Sequence, residues 1–138
     1  MGYLLDTNIV SAFLKQNPEI GLKIRELRYQ GQFIGISGIT YYEIQRGLLR
    51  TNATKKLALF EQFCQDYPIL FLDDLRIFQK ASEIHADLTR QGRIIQDADI
   101  LIAATAIAHG LILVSHDSDL TRVKDLQLEN WLTNTISN

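Results

Sequence analysis

Apolar and polar residues follow one another along this chain in two rhythms. There are short unbroken apolar runs, and there are longer stretches in which apolar residues return every three or four positions. The runs are Tyr3-Leu4-Leu5, Phe33-Ile34-Gly35-Ile36, Ile69-Leu70-Phe71-Leu72 and Leu111-Ile112-Leu113-Val114. Apolar runs without alternation belong to strands covered on both faces, so each predicts a buried strand, with a short fifth strand within 126–131.

The second rhythm predicts the helices. Residues 7–16 form a short helix with Ile9, Ala12 and Phe13 inward, and Pro18-Glu19 opens another through Ile20, Ile24 and Leu27, ended by Gly31. A third helix spans 39–50 after Ser37-Gly38. Residues 52–54 break the pattern before a helix with Leu57, Phe60, Phe63 or Cys64, and Tyr67 on one side, stopped by Pro68. Asp73 or Asp74 caps the next, which turns Leu75, Phe78, Ala81, Ile84 or His85, and Leu88 inward until Gly92. From Asp97 or Ala98 to His109 the chain carries almost only Ile, Leu, Ala and Thr, which predicts burial nearly all round, with Gly110 just past the end. Strands alternating with helices indicate an α/β fold: a central parallel sheet of about four to five strands flanked by helices. One domain is expected over 1–132, with 133–138 a flexible tail.

Composition narrows the class. A chain of 138 residues can bury one core but not two independent ones. Its 46% hydrophobic and 22% charged residues are those of an ordinary globular protein. Its apolar stretches fall short of membrane-spanning length and the start lacks signal-peptide character, so a cytoplasmic location and no membrane contact are expected. The one cysteine, Cys64, falls in a helical apolar pattern and is expected to be a reduced core thiol. The net charge of −2 does not announce a nucleic-acid partner, nor exclude one, since bound cations reverse the local sign of an acidic site.

Acidic residues recur where strands end. Asp6 follows the first strand, Glu43 lies in the helix after the second, Asp97 and Asp99 open the apolar helix, and Asp117 and Asp119 follow the fourth strand. In open parallel sheets ligands bind beyond the carboxyl ends of the strands, so all these acids could meet at one edge. Gly47, one turn after Glu43, would let a neighbouring backbone approach, and Ala103 and Ala106 would floor a slot beneath Asp99. Two like charges about 4 Å apart repel by roughly 4 kcal/mol at an effective dielectric near 20, so such a grouping calls for a counter-charge. Oxygen ligands alone indicate Mg²⁺ or Mn²⁺ rather than zinc, ions that activate water and neutralise a phosphodiester. Each acid also has an ordinary role available: Asp97 and Asp99 complement a helix dipole, and Asp117 and Asp119 suit a turn. Asp6 by itself could be a helix cap; the recurrence of acids makes it a ligand and leaves the cap to Thr7 or Asn8. His116 reads as a loop residue, His109 as a helix-end residue and His85 as a boundary residue.

These residues resemble the PIN-domain ribonucleases, and within them the VapC-type toxins of type II toxin–antitoxin pairs. The segments are LLDTN at 4–8, ISGITYYEIQRG at 36–47, DADILIAATAIAHGLILVSHD at 97–117 and LENW at 128–131. The resemblance implies a Mg²⁺- or Mn²⁺-dependent endoribonuclease that hydrolyses RNA with metal-activated water. Its acids fall on Asp6, Glu43, Asp99 and Asp117, as catalytic residues and metal ligands, with Asn8 and Ser115 supporting them. The resemblance selects Asp99 over Asp97, because its third acid lies three residues before the IAA at 102–104, and two residues two apart cannot share a helix face and both be primary ligands. Many of these toxins carry Phe where Leu120 follows Asp119, so Asp119 could replace or assist Asp117. The resemblance also implies a VapB-type antitoxin bound along the helices of 39–67, a homodimer and a toxin–antitoxin hetero-oligomer. RNA phosphates could be held by Arg46, Arg50 and Arg93, with Lys55, Lys56 and Arg90 nearby, and a solvated helix face accounts for the same charges about as well. Competing readings are a housekeeping RNA-processing PIN nuclease, a non-catalytic RNA- or protein-binding module on the same fold, and a Mg²⁺-dependent phosphatase. The last wants a second Asp where Asn8 stands and a phosphate-cradling glycine loop that is missing.

Overall fold

A computed structural model describes residues 2–132, so the expected tail at 133–138 lies outside the described residues. Chain order is β1 (Gly2–Leu5), α1 (Thr7–Leu14), α2 (Pro18–Tyr29), β2 (Phe33–Ser37), α3 (Gly38–Arg50), α4 (Thr54–Asp66), β3 (Ile69–Leu70), α5 (Leu75–Arg90), α6 (Asp97–Ala108), β4 (Ile112–Val114) and β5 (Leu128–Glu129), with a 3₁₀ turn at Ser118–Arg122. The five strands form one parallel sheet in the order β3-β2-β1-β4-β5. Strand order therefore reverses at β1, which pairs with β2 on one side and β4 on the other.

Both faces of the sheet are covered, as the unbroken apolar runs require. Leu4 and Leu113 pack with α5 and α6, while Leu5, Val114, Ile34 and Ile36 pack with α1, α2, α3 and α4. Helix α6 is buried from Ile102 to Ala106. Gly110 follows it at φ +65°, and Leu111 N–H closes the helix end on the Ala106 carbonyl at 2.8 Å. That bond takes Leu111 out of the strand expected to begin there.

Several expectations differ from the structure. β3 ends at Leu70, because β2 turns into α3 after Ser37 and leaves residues 71 and 72 without a strand to pair with. The inward face of α5 is Ile77, Ala81, Ile84 and Leu88, whereas Leu75 is 70% and Phe78 44% exposed. His85 lies within that helix rather than at its boundary. In α1 the buried residues are Ile9, Val10 and Leu14, with Ala12 and Phe13 only partly covered. A Cβ on Gly47 would meet nothing within 4 Å, so no backbone presses on it. The close approach belongs to Gly35, whose added Cβ would stand 2.9 Å from the Pro68 carbonyl.

Candidate active site

The strand-order reversal at β1 sets the site, because the ends of β1 and β4 open side by side there. The two strands stay paired up to the acid, Asp6 N–H donating to the Val114 carbonyl at 2.9 Å. Asp6 itself is 4% exposed and is the N-cap of α1, its Oδ1 accepting from Thr7 N–H at 2.8 Å. The cap is thus Asp6 rather than Thr7 or Asn8, and capping does not compete with a site role, since it uses one oxygen. The other oxygen, Oδ2, accepts from the Ser115 hydroxyl at 2.6 Å and lies 3.5 Å from Asn8 Nδ2. Asn8 ties the two strand ends further: its Nδ2 donates to Ser115 Oγ at 3.3 Å and its Oδ1 accepts from His116 N–H at 3.1 Å.

Glu43 enters from α3. Its Oε1 accepts from the Thr7 hydroxyl at 2.6 Å, and that hydroxyl is 3.1 Å from the hydroxyl of Thr40, buried one turn before Glu43. The sequence reading names Thr7 only as a cap candidate and does not name Thr40, though the spacing of Thr40 and Glu43 on one helix face is the signal for it. Asp99 stands in the first turn of α6. Asp117 caps the 3₁₀ turn, its Oδ1 accepting from Asp119 N–H at 2.9 Å, and its own N–H donates to Ser115 Oγ at 3.1 Å.

Asp6, Glu43, Asp99 and Asp117 line one cleft of about 760 Å³. Arg46, Gly47 and Arg50 form its α3 wall, with the Arg46 guanidinium 4.9 Å from the Tyr42 ring centroid. Asp119 lies outside this lining and is paired with Arg122 at 3.2 Å, while still bordering an adjoining pocket with Asp99 and Asp117. Asp97 faces elsewhere, in a groove with Phe78 and His85. Arg93, Lys55 and Lys56 do not line the cleft, and Arg90 lines a separate pocket with Lys80 and Lys124. Ala103 and Ala106 are fully buried in the core rather than flooring a slot.

Electrostatics distinguish two of the four acids. Burial pushes the Asp6 carboxyl up, against the pull of the Ser115 and Thr7 hydrogen bonds, and Glu43 and Asp117 push it further. Asp99 is pushed up to about 6, first by burial and then by the charges of Asp6, Asp117, Glu43 and Asp119. Among the described residues no three acidic, histidine or cysteine side chains are already gathered as a metal cage. The fit to a divalent cation therefore rests on the donors, all of them oxygen, and on the mutual repulsion such a cation would relieve.

A PIN domain profile matches residues 3–126. The chain is 34% identical over 132 residues to ribonuclease VapC2 of Haemophilus influenzae (strain KW20 / Rd), covering 94% of this chain and 98% of that protein. It is 31% identical over 131 residues to the tRNA(fMet)-specific endonuclease VapC of Shigella flexneri, covering 94% and 97%. The crystal structure of VapBC2 from Rickettsia felis, bound to a DNA fragment from its promoter, superposes with a TM-score of 0.86 at 28% identity, covering 95% of this chain and 99% of that one. A parallel sheet with acids gathered at its reversal point, and a profile spanning nearly its whole length, define the class: the chain belongs to the PIN-domain family, in its VapC ribonuclease branch.

Proposed function

We propose that the chain is a divalent-cation-dependent endoribonuclease serving as the toxin of a toxin–antitoxin pair. The observation that carries this reading is the convergence of Asp6, Glu43, Asp99 and Asp117, from four separate parts of the fold, on one cleft with two arginines in its wall.

Asp6, Glu43, Asp99 and Asp117 are the residues that would hold Mg²⁺ or Mn²⁺. Such an ion, when bound, supplies a nucleophilic water at neutral pH and offsets charge on the phosphodiester. The chain's own groups prepare the site. Ser115 and Asn8 fix Oδ2 of Asp6, and Thr7 fixes Oε1 of Glu43, so these carboxylates face the cleft without searching rotamers. Arg46, resting on Tyr42, and Arg50 would hold the phosphates on either side of the scissile bond.

An apolar groove of about 820 Å³ between α3 and α4, lined by Tyr41, Leu49, Leu57, Cys64 and Phe71 among others, is the surface we assign to a VapB-type antitoxin. The described chain has no helix long and apolar enough to cross a membrane, and a cytoplasmic location goes with an RNA substrate.

The deciding experiment is cleavage of total RNA with Mg²⁺ or Mn²⁺ by the wild type and by Asp6→Asn, with 5′ ends sequenced. Metal-dependent cuts by the wild type alone support the reading, and equal cutting by both proteins refutes it. Transfer RNA is the first defined substrate to try, given the name of the Shigella relative. Light scattering of the chain alone and with the product of a neighbouring small gene checks the homodimer and the hetero-oligomer.

A further inference from the structure

The acids stand between two different pockets. On the α3 side is the cleft walled by Arg46 and Arg50. On the other side Asp99 and Asp117 also border a pocket of about 560 Å³, within the roughly 300–1,000 Å³ of small-ligand sites, formed with Asp119, Ile94, Ile95 and Gln96. The segment joining α5 to α6 supplies these last three. Ile95 is buried in the core and anchors the segment, which leaves its neighbour Ile94 66% exposed over the pocket. Gln96 is the residue that caps α6, yet its side chain makes no capping hydrogen bond and leaves its amide free to act on the pocket side.

Side-chain chemistry sorts what each pocket can take. In the cleft, Arg46 and Arg50 give phosphate direct partners beside the four acids. Among the described residues, the second pocket has no lysine or arginine in its lining: Asp99 and Asp117 are shared with the cleft and committed to the divalent cation, and Asp119 is paired with Arg122. It gives phosphate no basic partner of its own, but it offers a neutral planar group an apolar face from Ile94 and a hydrogen-bonding amide from Gln96. Single-stranded RNA presents such groups beside every phosphate, as unstacked bases packed against side chains and read along their edges.

We propose that the Ile94–Gln96 pocket is a nucleobase subsite, which seats the base next to the scissile phosphate while Arg46 and Arg50 hold the backbone on the opposite side of the acids. This inference rests on the ribonuclease reading. Ile94 bears on the face of the base and Gln96 on its edge, so the pair sets a preference for the nucleotide at one side of the cut. The two side chains are exposed, so truncating them leaves the fold intact.

The test uses the full chain and a short single-stranded RNA spanning its strongest mapped cut, with the base removed in turn from the nucleotide on each side of the cut and the ribose left in place. For the wild type, removing one of these bases lowers kcat/KM roughly fivefold or more, the low end of a base-packing contact. For Ile94→Ala and Gln96→Ala that penalty shrinks toward one, while circular dichroism and melting stay those of the wild type. Penalties of equal size in wild type and both variants overturn the subsite and leave the ribonuclease reading standing. Absence of cutting by the wild type on any RNA overturns that reading, and the subsite with it.

Discussion

Ser115 and Asp6 are 109 residues apart in sequence, yet the Ser115 hydroxyl donates to Asp6 Oδ2 across 2.6 Å at the junction of β4 and β1. The bond holds an acid that burial alone would drive toward its neutral form. Ser115→Ala should therefore lower kcat by roughly 10–100-fold, the usual cost of removing a group that orients a ligand. KM for RNA should stay near the wild-type value, because the arginines that face phosphate are untouched. Since the lost bond favoured the charged carboxylate, the acid limb of the pH–rate profile should move to higher pH. An unchanged kcat would show that the Ser115 bond does not position Asp6.

Asp99 offers a prediction about stability rather than rate. Its carboxyl is pushed from 3.8 to about 6 in the folded chain, so the folded state holds the proton more tightly than the unfolded state. The favourable contribution is complete below about pH 3.8 and is lost as pH rises through about 6. In EDTA at pH 7.5, Asp99→Asn should melt at a higher temperature than the wild type, by a modest margin because solvent partly screens the group. The difference should vanish near pH 4. A lower melting temperature for the variant at pH 7.5 would contradict the burial cost and the repulsion that together raise this carboxyl.

How much of this was legible in the sequence follows from what local pattern encodes. The strands and the acids at their ends were readable because a strand covered on both faces is apolar without alternation and stops where polar residues begin, as Leu5-Asp6 and Val114-Ser115 do. The register of α5 was not: Leu75 and Phe78 are apolar but exposed, and hydrophobicity does not say which of two apolar stripes meets the sheet. The contact of Thr7 with Glu43 was hidden because it joins α1 to α3, and only the topology puts them side by side. Ala103 and Ala106 were assigned to the wrong side of α6, whose all-round apolar surface gives no direction.

Cation binding should be visible without RNA. A ligand that binds only the folded state adds about 2.7 kcal/mol at a hundredfold excess over its Kd, so Mn²⁺ or Mg²⁺ should raise the melting temperature by several degrees at pH 7.5. The rise should fade as pH falls through about 6, where Asp99 takes up a proton and the cation must displace it. Asp6→Asn should lose most of the rise at every pH. A rise of the same size at pH 5 and 7.5, or one that survives Asp6→Asn, would place the cation elsewhere.

The arginines of α3 make a separable prediction. Arg46 and Arg50 lie three and seven positions after Glu43, on the same helix face, and both line the cleft. If each faces one phosphate, Arg46→Ala and Arg50→Ala should each raise KM for RNA and reduce the slope of log affinity against log salt by about 1. Changes in kcat should be small by comparison. Arg25→Ala, exposed on α2 and away from the cleft, serves as the matched loss of charge and should leave the slope unchanged. Tyr42→Ala should reproduce part of the Arg46 effect, because the ring under the guanidinium holds it in place, whereas Tyr42→Phe should not. If all three arginine variants flatten the salt slope alike, RNA is held by diffuse surface charge and not by the α3 wall.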